Sequence, residues 1–152
     1  MKEVYGNLIT MALYGEFDII IQGCNCFCAF GAGLAKEIKE RLPKVYAADC
    51  KTKKGDINKL GNYSICVINT DEGDDFMVIN CYTQYMYSNS EPQIDYEALT
   101  LCLRKINHEF KGDTIGVPLI GAGLAGGNWL KISEIIEREL KDMDVTIVKL
   151  KL

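Results

Sequence analysis

The five-residue sequence Gly-Ala-Gly-Leu-Ala occurs twice in this chain of 152 residues, at 31–35 and at 121–125. Each copy follows a strand-like apolar run and precedes a segment with helical spacing. A strand that passes through glycines into a helix offers free backbone N–H groups beside the positive end of the helix dipole, which favours an anion. Each loop alone is equally compatible with a tight strand-to-helix turn. Together, on parallel strands of one small sheet, the two loops predict a pair that flanks a diphosphate.

The alternation of strands and helices predicts an α/β domain. Strand-like runs occur at 18–23, 65–69, 76–80, 115–120 and 145–150. Helical spacing begins at Leu34, Tyr96 and Trp129, and Pro43 is expected to stop or kink the first helix. The acidic Gly turn at 71–75 predicts a hairpin between the second and third strands, which makes the sheet mixed. We therefore expect one domain over residues 1–152.

The composition excludes several classes of protein. The apolar fraction of 48% and the charged fraction of 25% are typical of a globular domain. No run reaches the roughly 20 apolar residues of a membrane span, and the first residues do not resemble a signal peptide. A net charge of −4 without a basic face argues against an extended duplex nucleic-acid surface. Seven cysteines, an odd number, indicate reduced thiols and a cytoplasmic protein.

Three of these cysteines, Cys24, Cys26 and Cys28, stand at alternate positions after the first predicted strand. Structural zinc sites usually need paired clusters of Cys or His, and the other cysteines are scattered. Alternate residues of an extended segment point to one side, where small thiols pack well. A thiolate nucleophile is an alternative, since a helix N-terminus lowers a thiol pKa. We predict packing and no metal.

The second glycine loop satisfies G-x-G-x-x-G at 121–126, the pattern of dinucleotide-binding folds. In those folds the motif follows the first strand, and an acidic residue stands about 20 residues further on. Here the motif is late, and the later segment reads Val-Thr-Ile-Val from Val145. We therefore do not expect a dehydrogenase.

Several segments resemble macro domains, in family order and over nearly the whole chain. Cys24-Asn25-Cys26 and the glycine turn at 31–35 resemble the first ligand loop, and 118–129 resembles the second, phosphate-holding loop. Residues 5–8 resemble the family's Gly-Asp-Ile element, and 145–150 its closing strand. The resemblance implies a three-layer α/β/α fold with a mixed central sheet and ADP-ribose lying across its crest.

The resemblance also implies a set of ligand-binding residues. Asn7 and Leu8 would contact the adenine. The family usually has Asp at the position of Asn7, but the Asn7 amide oxygen can also accept a hydrogen bond from the adenine amino group. Leu150 would lie near the adenine as well, although it matches the family pattern less closely. Asn25 would hydrogen-bond the distal ribose, and Gln22 is a further candidate ligand residue. Thr83 and Gln84 either form part of the polar floor of the cleft or cap a strand end. Backbone donors to the diphosphate and the terminal ribose would come from Gly31, Ala32, Gly33, Leu34, Gly121, Ala122, Gly123, Leu124, Ala125 and Gly126.

The closest branch of the family contains an ADP-ribose 1''-phosphate phosphatase and a terminal ADP-ribose glycohydrolase. Gln84 stands where the glycohydrolase has its lysine, and Ala125 where it has its aspartate. Gln22 stands where the phosphatase has a histidine. The only histidine of the chain, His108, is expected on an exposed helix face.

Two neutral amides remain as catalytic candidates. Asn25 is either a turn-forming residue or the ribose ligand, and Asn128 is either a helix cap or a group that orients a water or phosphate. Asn80 belongs to the cleft floor or caps a strand end.

The function predicted from this pattern is hydrolysis of ADP-ribose 1''-phosphate to ADP-ribose and phosphate, without cofactor or metal. One alternative is a non-catalytic module that binds ADP-ribose or ADP-ribosylated macromolecules. Another is a de-ADP-ribosylating or deacylating hydrolase that uses a substrate-positioned water. The missing lysine, aspartate and histidine favour the binding module, whereas the Cys-Asn-Cys loop favours the phosphatase.

Overall fold

The computed structural model describes residues 1–70, 73–87, 93–123 and 125–150. Its strands are β1 (Lys2–Tyr5), β2 (Ile19–Cys24), β3 (Tyr63–Ile68), β4 (Phe76–Tyr82), β5 (Thr114–Val117) and β6 (Asp144–Lys149). Its helices are α1 (Leu8–Leu13), α2 (Gly33–Arg41), α3 (Pro43–Cys50), α4 (Tyr96–Glu109) and α5 (Trp129–Glu139), with a short 3₁₀ turn at Ile57–Lys59.

The six strands form one sheet in the order β1-β6-β5-β2-β4-β3. Every neighbouring pair is parallel except β3 and β4, which pair antiparallel. The predicted hairpin and the mixed sheet are therefore confirmed. The order places β2 beside β5, so the two strands that lead into the glycine loops are neighbours.

Helices cover both faces of the sheet, which confirms the three-layer α/β/α fold. Alternation along β2 sends Ile19 and Ile21 to one face and Ile20 to the other. The first face packs against α4 and α5, and the second against α1, α2 and α3. Burial of this apolar surface on both sides is what makes the central strands continuous apolar runs.

The stop expected at Pro43 is confirmed, because α2 ends at Arg41; Pro43 then begins α3, since a proline in the first turn needs no N–H partner. Other features differ from the sequence-based expectation. The strand expected at 115–120 ends at Val117, because Pro118 lacks the N–H that would continue the ladder. The periodicity also did not predict β1 and α1, which are only four and six residues long.

Within the described ranges, we find no helix whose length and apolar character would let it cross a bilayer.

Candidate functional site

A cleft of about 560 Å³ lies at the carboxyl ends of β2 and β5. The segment 29–35 of the first glycine loop forms one wall, and Gly121, Gly123 and Ala125 of the second loop contribute to the other. Gln22, Asn25 and Gln84 line it as well. The fold therefore brings both copies of the repeated sequence to one cleft, as ligand sites at the carboxyl ends of parallel strands are commonly built.

The Asn25 side chain holds the first loop in shape. Its Oδ1 accepts hydrogen bonds from the backbone N–H of Phe27 at 2.9 Å and of Ala29 at 3.3 Å. Its Nδ2 donates to the carbonyl oxygen of Ala29 at 2.8 Å. The turn-forming role is thus confirmed, and one N–H of the Asn25 amide is left for a ligand. Its role as the ribose ligand stays a prediction.

Free backbone donors follow this turn at the start of α2. None of the N–H groups of residues 31–35 donates to another described residue. Ala32, at the N-cap position, has no side-chain hydrogen bond to offer them. These five unsatisfied donors at a helix N-terminus, together with the positive end of its dipole, form an environment for an anion.

The second loop is held by its own backbone. Gly127 N–H donates to the Gly121 carbonyl at 2.7 Å, and Gly126 N–H to the Gly123 carbonyl at 3.0 Å. The N–H of Ile94 donates to the carbonyl of Ala125 at 3.3 Å. The N–H groups of Gly121, Gly123 and Ala125 donate to no described residue, so this loop also offers donors.

Gly121 is the residue that this conformation requires. Its φ of +75° lies in the left-handed region, and a Cβ there would collide with Cδ1 of Ile94. Gly123 has open space around it and no such φ. The loop therefore depends on the first glycine of its Gly-Ala-Gly sequence more than on the second.

The described lining of the cleft lacks the residue types that are usually charged. Among the described residues that line it there is no Asp, Glu, Lys, Arg or His. Gln22 is 2% exposed and donates through Nε2 to Asn80 Oδ1 at 2.8 Å. Gln84 donates through Nε2 to the Met86 carbonyl at 2.8 Å. Gln22, Gln84 and Ala125 thus stand where family relatives have a histidine, a lysine and an aspartate, and no other charged side chain replaces those groups in the described cleft lining.

The predicted packing of the cysteines is confirmed for Cys24 and Cys26, which are buried in the same layer of the core. Burial raises the pKa of both thiols, most strongly that of Cys24, which lines the cleft. Burial also raises the pKa of the Cys28 thiol. None of the three is therefore poised as a thiolate nucleophile. The described residues contain no group of three or more His, Cys, Asp or Glu that could hold a metal ion.

Asp49, a residue of α3, is completely buried behind the first loop. Its Oδ1 accepts a hydrogen bond of 2.6 Å from the Tyr82 hydroxyl. Burial raises the pKa of Asp49, and burial followed by this hydrogen bond raises the pKa of Tyr82. Asp49 does not line the cleft, so it is not a direct acid or base for a ligand there.

Several predicted ligand residues lie outside the cleft lining. Asn7 caps α1 by accepting from Thr10 N–H, accepts from Arg41 Nη1 at 3.0 Å and donates to Glu37 at 2.9 Å. Its amide oxygen therefore already has two partners, and contact with adenine would require one to be exchanged. Leu8 is buried in the core, whereas Leu150 is 69% exposed. These three assignments stay predictions.

Other predicted positions divide similarly. Asn128 caps α5 by accepting from Lys131 N–H at 3.2 Å, which confirms the cap, and its side chain does not line the cleft. Thr83 is fully buried, and its hydroxyl oxygen has no partner among the described residues. Ala122 and Gly126 flank the cleft without lining it, and Leu124 lies outside the described residues.

Sequence reasoning missed two aromatic residues of the cleft, Phe30 and Tyr87. Tyr87 is 58% exposed, and its ring meets that of Phe27 with centroids 5.9 Å apart. Both lie in loops, where no periodicity marks a buried or binding face. The one available signal was the density of aromatic residues in 82–87, directly after a strand end.

Comparisons with known proteins agree with this geometry. The family model described as Macro domain matches residues 21–136. An uncharacterized 17.5 kDa protein from the tk-vs intergenic region of Enterobacteria phage T4 is 34% identical over 155 residues, covering 97% of this chain and 95% of that protein. The ADP-ribose 1''-phosphate phosphatase of Saccharomyces cerevisiae (strain YJM789) is 25% identical over 178 residues, covering 97% of each chain.

A solved structure adds the fold. Thermosipho africanus DarTG in complex with ADP-ribose superimposes with a TM-score of 0.74 at 16% identity, covering 100% of this chain and 42% of that one. At this identity the likeness concerns the fold. The family model spans most of the chain, and the phage relative is similar from end to end. The chain therefore belongs to the macro domain family.

Proposed function

We propose that the cleft binds ADP-ribose and that the protein hydrolyses ADP-ribose 1''-phosphate to ADP-ribose and inorganic phosphate. One observation carries the proposal: two glycine loops with free backbone N–H groups, at 31–35 and at Gly121, Gly123 and Ala125, line the same cleft. Such converging donors suit the oxygens of a diphosphate. The activity of the yeast relative and the ligand of the Thermosipho africanus structure support the choice of ligand.

The proposed reaction needs little from side chains. A water oxygen forms a bond to phosphorus while the bond from phosphorus to the sugar oxygen breaks, and the water's proton passes to the leaving oxygen. Backbone N–H groups of the two loops and the remaining side-chain N–H of Asn25 donate hydrogen bonds to the phosphoryl oxygens and stabilise their negative charge. Because the described cleft lining has no His, Asp, Glu or Lys, the rate rests on positioning and backbone electrostatics, and turnover is slow.

A second candidate function, binding without turnover, is favoured by that same lack of acid and base groups. General acid–base catalysis typically contributes 10²- to 10⁴-fold to a rate, and the described lining of this cleft offers no His, Asp, Glu or Lys for it. In that case the protein captures ADP-ribose, free or attached to a macromolecule, and releases it unchanged.

Two measurements separate the candidates. Phosphate release from ADP-ribose 1''-phosphate is followed with the wild type, Asn25→Ala and a matched control, Asn69→Ala, whose asparagine is exposed and far from the cleft lining. Calorimetry measures ADP-ribose binding by the same three proteins.

We expect release by the wild type and the control, and roughly tenfold less release or binding by Asn25→Ala, because a ligand hydrogen bond and the loop that positions it are both lost. Binding without release in the wild type would leave the binding module as the function. Failure of the wild type to bind ADP-ribose would overturn both candidates.

A further inference from the structure

A chain of four hydrogen bonds connects the buried carboxylate of Asp49 to the cleft residue Gln22. Gln22 Nε2 donates to Asn80 Oδ1 at 2.8 Å, and Asn80 Nδ2 donates to Ser64 Oγ at 3.1 Å. The Ser64 and Tyr82 hydroxyl oxygens are 2.8 Å apart, and the Tyr82 hydroxyl donates to Asp49 Oδ1 at 2.6 Å. The residues come from α3 and three adjacent strands, β2, β4 and β3. Four of the five are buried, and Ser64 is half-buried.

The carboxylate fixes the direction of every bond in this chain. Asp49 Oδ1 accepts the hydrogen bond from the Tyr82 hydroxyl, so the proton of that hydroxyl is committed to Asp49. The Tyr82 oxygen is then free to accept from the Ser64 hydroxyl, which in turn accepts from the Asn80 amide nitrogen. Asn80 therefore presents its carbonyl oxygen to the Gln22 amide nitrogen.

The same direction determines what Gln22 offers at the cleft. Its nitrogen is committed to Asn80, and its Oε1 has no partner among the described residues although the atom is buried. Gln22 also lines the cleft. A buried amide oxygen without a partner is costly, and a ligand donor removes that cost. A phosphate oxygen, itself an acceptor, would not.

A buried lysine, Lys59, lies beside the Tyr82–Asp49 end of this hydrogen-bonded chain. Lys59 is 8% exposed, its Nζ lies 4.6 Å from the centroid of the Tyr82 ring, and it donates to the Cys26 carbonyl at 3.1 Å. Burial raises the pKa of Asp49, and the Tyr82 hydrogen bond and the charge of Lys59 oppose that rise only in part, while the Lys59 hydrogen bond secures the first loop. Lys59 therefore contacts both the hydrogen-bonded chain, at Tyr82, and the first glycine loop, at Cys26.

We propose that Asn80, Ser64, Tyr82 and Asp49 are positioning residues that hold Gln22 with its carbonyl oxygen toward the ligand, so that Gln22 selects a ligand hydroxyl over an anionic oxygen. The proposal rests on the binding of ADP-ribose in this cleft, whose ribose hydroxyls are donors of the required kind. None of the four positioning residues lines the cleft, so each acts only through Gln22.

A double-mutant cycle tests the coupling. Ser64→Ala removes the middle hydroxyl, and Gln22→Met removes the amide while keeping its approximate length. We expect Ser64→Ala to weaken ADP-ribose binding roughly three- to tenfold in the wild-type background and less than about twofold in the Gln22→Met background. Ser64→Thr keeps a hydroxyl and should bind as the wild type does. Ser133→Ala, which removes an α5 hydroxyl bonded to Leu130, is the matched control and should change nothing.

An equal loss in both backgrounds, or no loss from Ser64→Ala, would overturn the inference. A second measurement keeps the inference independent of the proposed function: NMR of the Gln22 side-chain amide in the protein without ligand. We expect slow exchange of its protons with solvent in the wild type and at least tenfold faster exchange in Ser64→Ala.

Faster exchange without any ADP-ribose binding would overturn the proposed function alone. Unchanged exchange would overturn the inference alone, even if ADP-ribose binds.

Discussion

The two glycine loops share five residues in sequence and are built by different interactions. In the first loop the Asn25 side chain makes three hydrogen bonds to the backbone of Phe27 and Ala29. In the second loop the N–H groups of Gly127 and Gly126 donate to the carbonyls of Gly121 and Gly123, and Gly121 packs where no side chain fits. The conformation of the first loop thus depends on the Asn25 side chain, whereas that of the second depends on Gly121 having no side chain. The same local sequence therefore tolerates different substitutions at its two locations.

The largest expected effect comes from Gly121→Ala. The new methyl group would have to share space with Ile94 in a backbone conformation that alanine rarely adopts. We expect a loss of roughly 2–4 kcal/mol in the free energy of unfolding, measured by denaturant titration.

Gly123→Ala is the matched control for Gly121→Ala, since it makes the same change in the same loop with open space around the new Cβ. It should alter the free energy of unfolding by less than about 0.5 kcal/mol. Equal losses at both positions would show that the second loop depends on glycine entropy and not on the close contact at Gly121.

A smaller effect is expected from Asn25→Ala in the first loop. Loss of its three hydrogen bonds leaves the N–H groups of Phe27 and Ala29 without partners, at a cost of about 1–2 kcal/mol. Hydrogen exchange of these two amides should accelerate at least tenfold, while exchange in 121–127 stays as in the wild type. Faster exchange in both loops would contradict the separate maintenance of the two loops.

The smallest effect concerns the helices that follow the loops. On α5 the buried Glu139 bonds to Arg104 of α4 at 3.0 Å, whereas on α2 Glu37 and Arg41 form a half-exposed pair. Arg104, with Arg138, holds the pKa of Glu139 below its usual range. A carboxyl pKa that folding lowers stabilises the fold above the ordinary glutamate pKa of about 4.3, and this stabilisation disappears as pH falls.

Arg104→Met should therefore reduce the free energy of unfolding at pH 7 by only a small amount, because Arg104 is 62% exposed and its charge is screened by solvent. The difference from the wild type should vanish as pH falls below the lowered pKa of Glu139. Lys141→Met, an exposed lysine without an ion pair among the described contacts, is the control. A difference that persists in acid would assign the effect to packing of the Arg104 stem.

Much of the fold could be predicted because its signals are local. Apolar runs and helical spacing predicted β2 to β6, α2, α4 and α5, and the acidic turn predicted the hairpin. The short elements β1 and α1 were missed because four or six residues are too few to establish a period. The stop at Pro43 was predicted, whereas the separate helix α3 that begins there was not.

The site could be predicted in its backbone and less well in its side chains. The glycine loops were located correctly because a strand that leads through glycines into a helix is recognisable from a few consecutive residues. The roles predicted for Asn7, Leu8 and Leu150 came from the family resemblance alone. In the structure Asn7 caps a helix, Leu8 is buried and Leu150 is exposed, and a resemblance does not predict such contacts. Phe30 and Tyr87 carried no pattern that distinguishes a cleft residue from a loop residue.

The sequence by itself determined that two glycine turns follow strands and precede helices, since this depends on residues within a few positions of one another. Only the tertiary structure decided that the two turns face the same cleft, because the order of strands in the sheet is set by packing across the whole chain. The same holds for the polar chain behind the cleft: Gln22 and Asn80 lie 58 positions apart, and Asp49 and Tyr82 lie 33 apart. Hydrogen bonds between such distant residues exist only once the sheet and α3 have packed together.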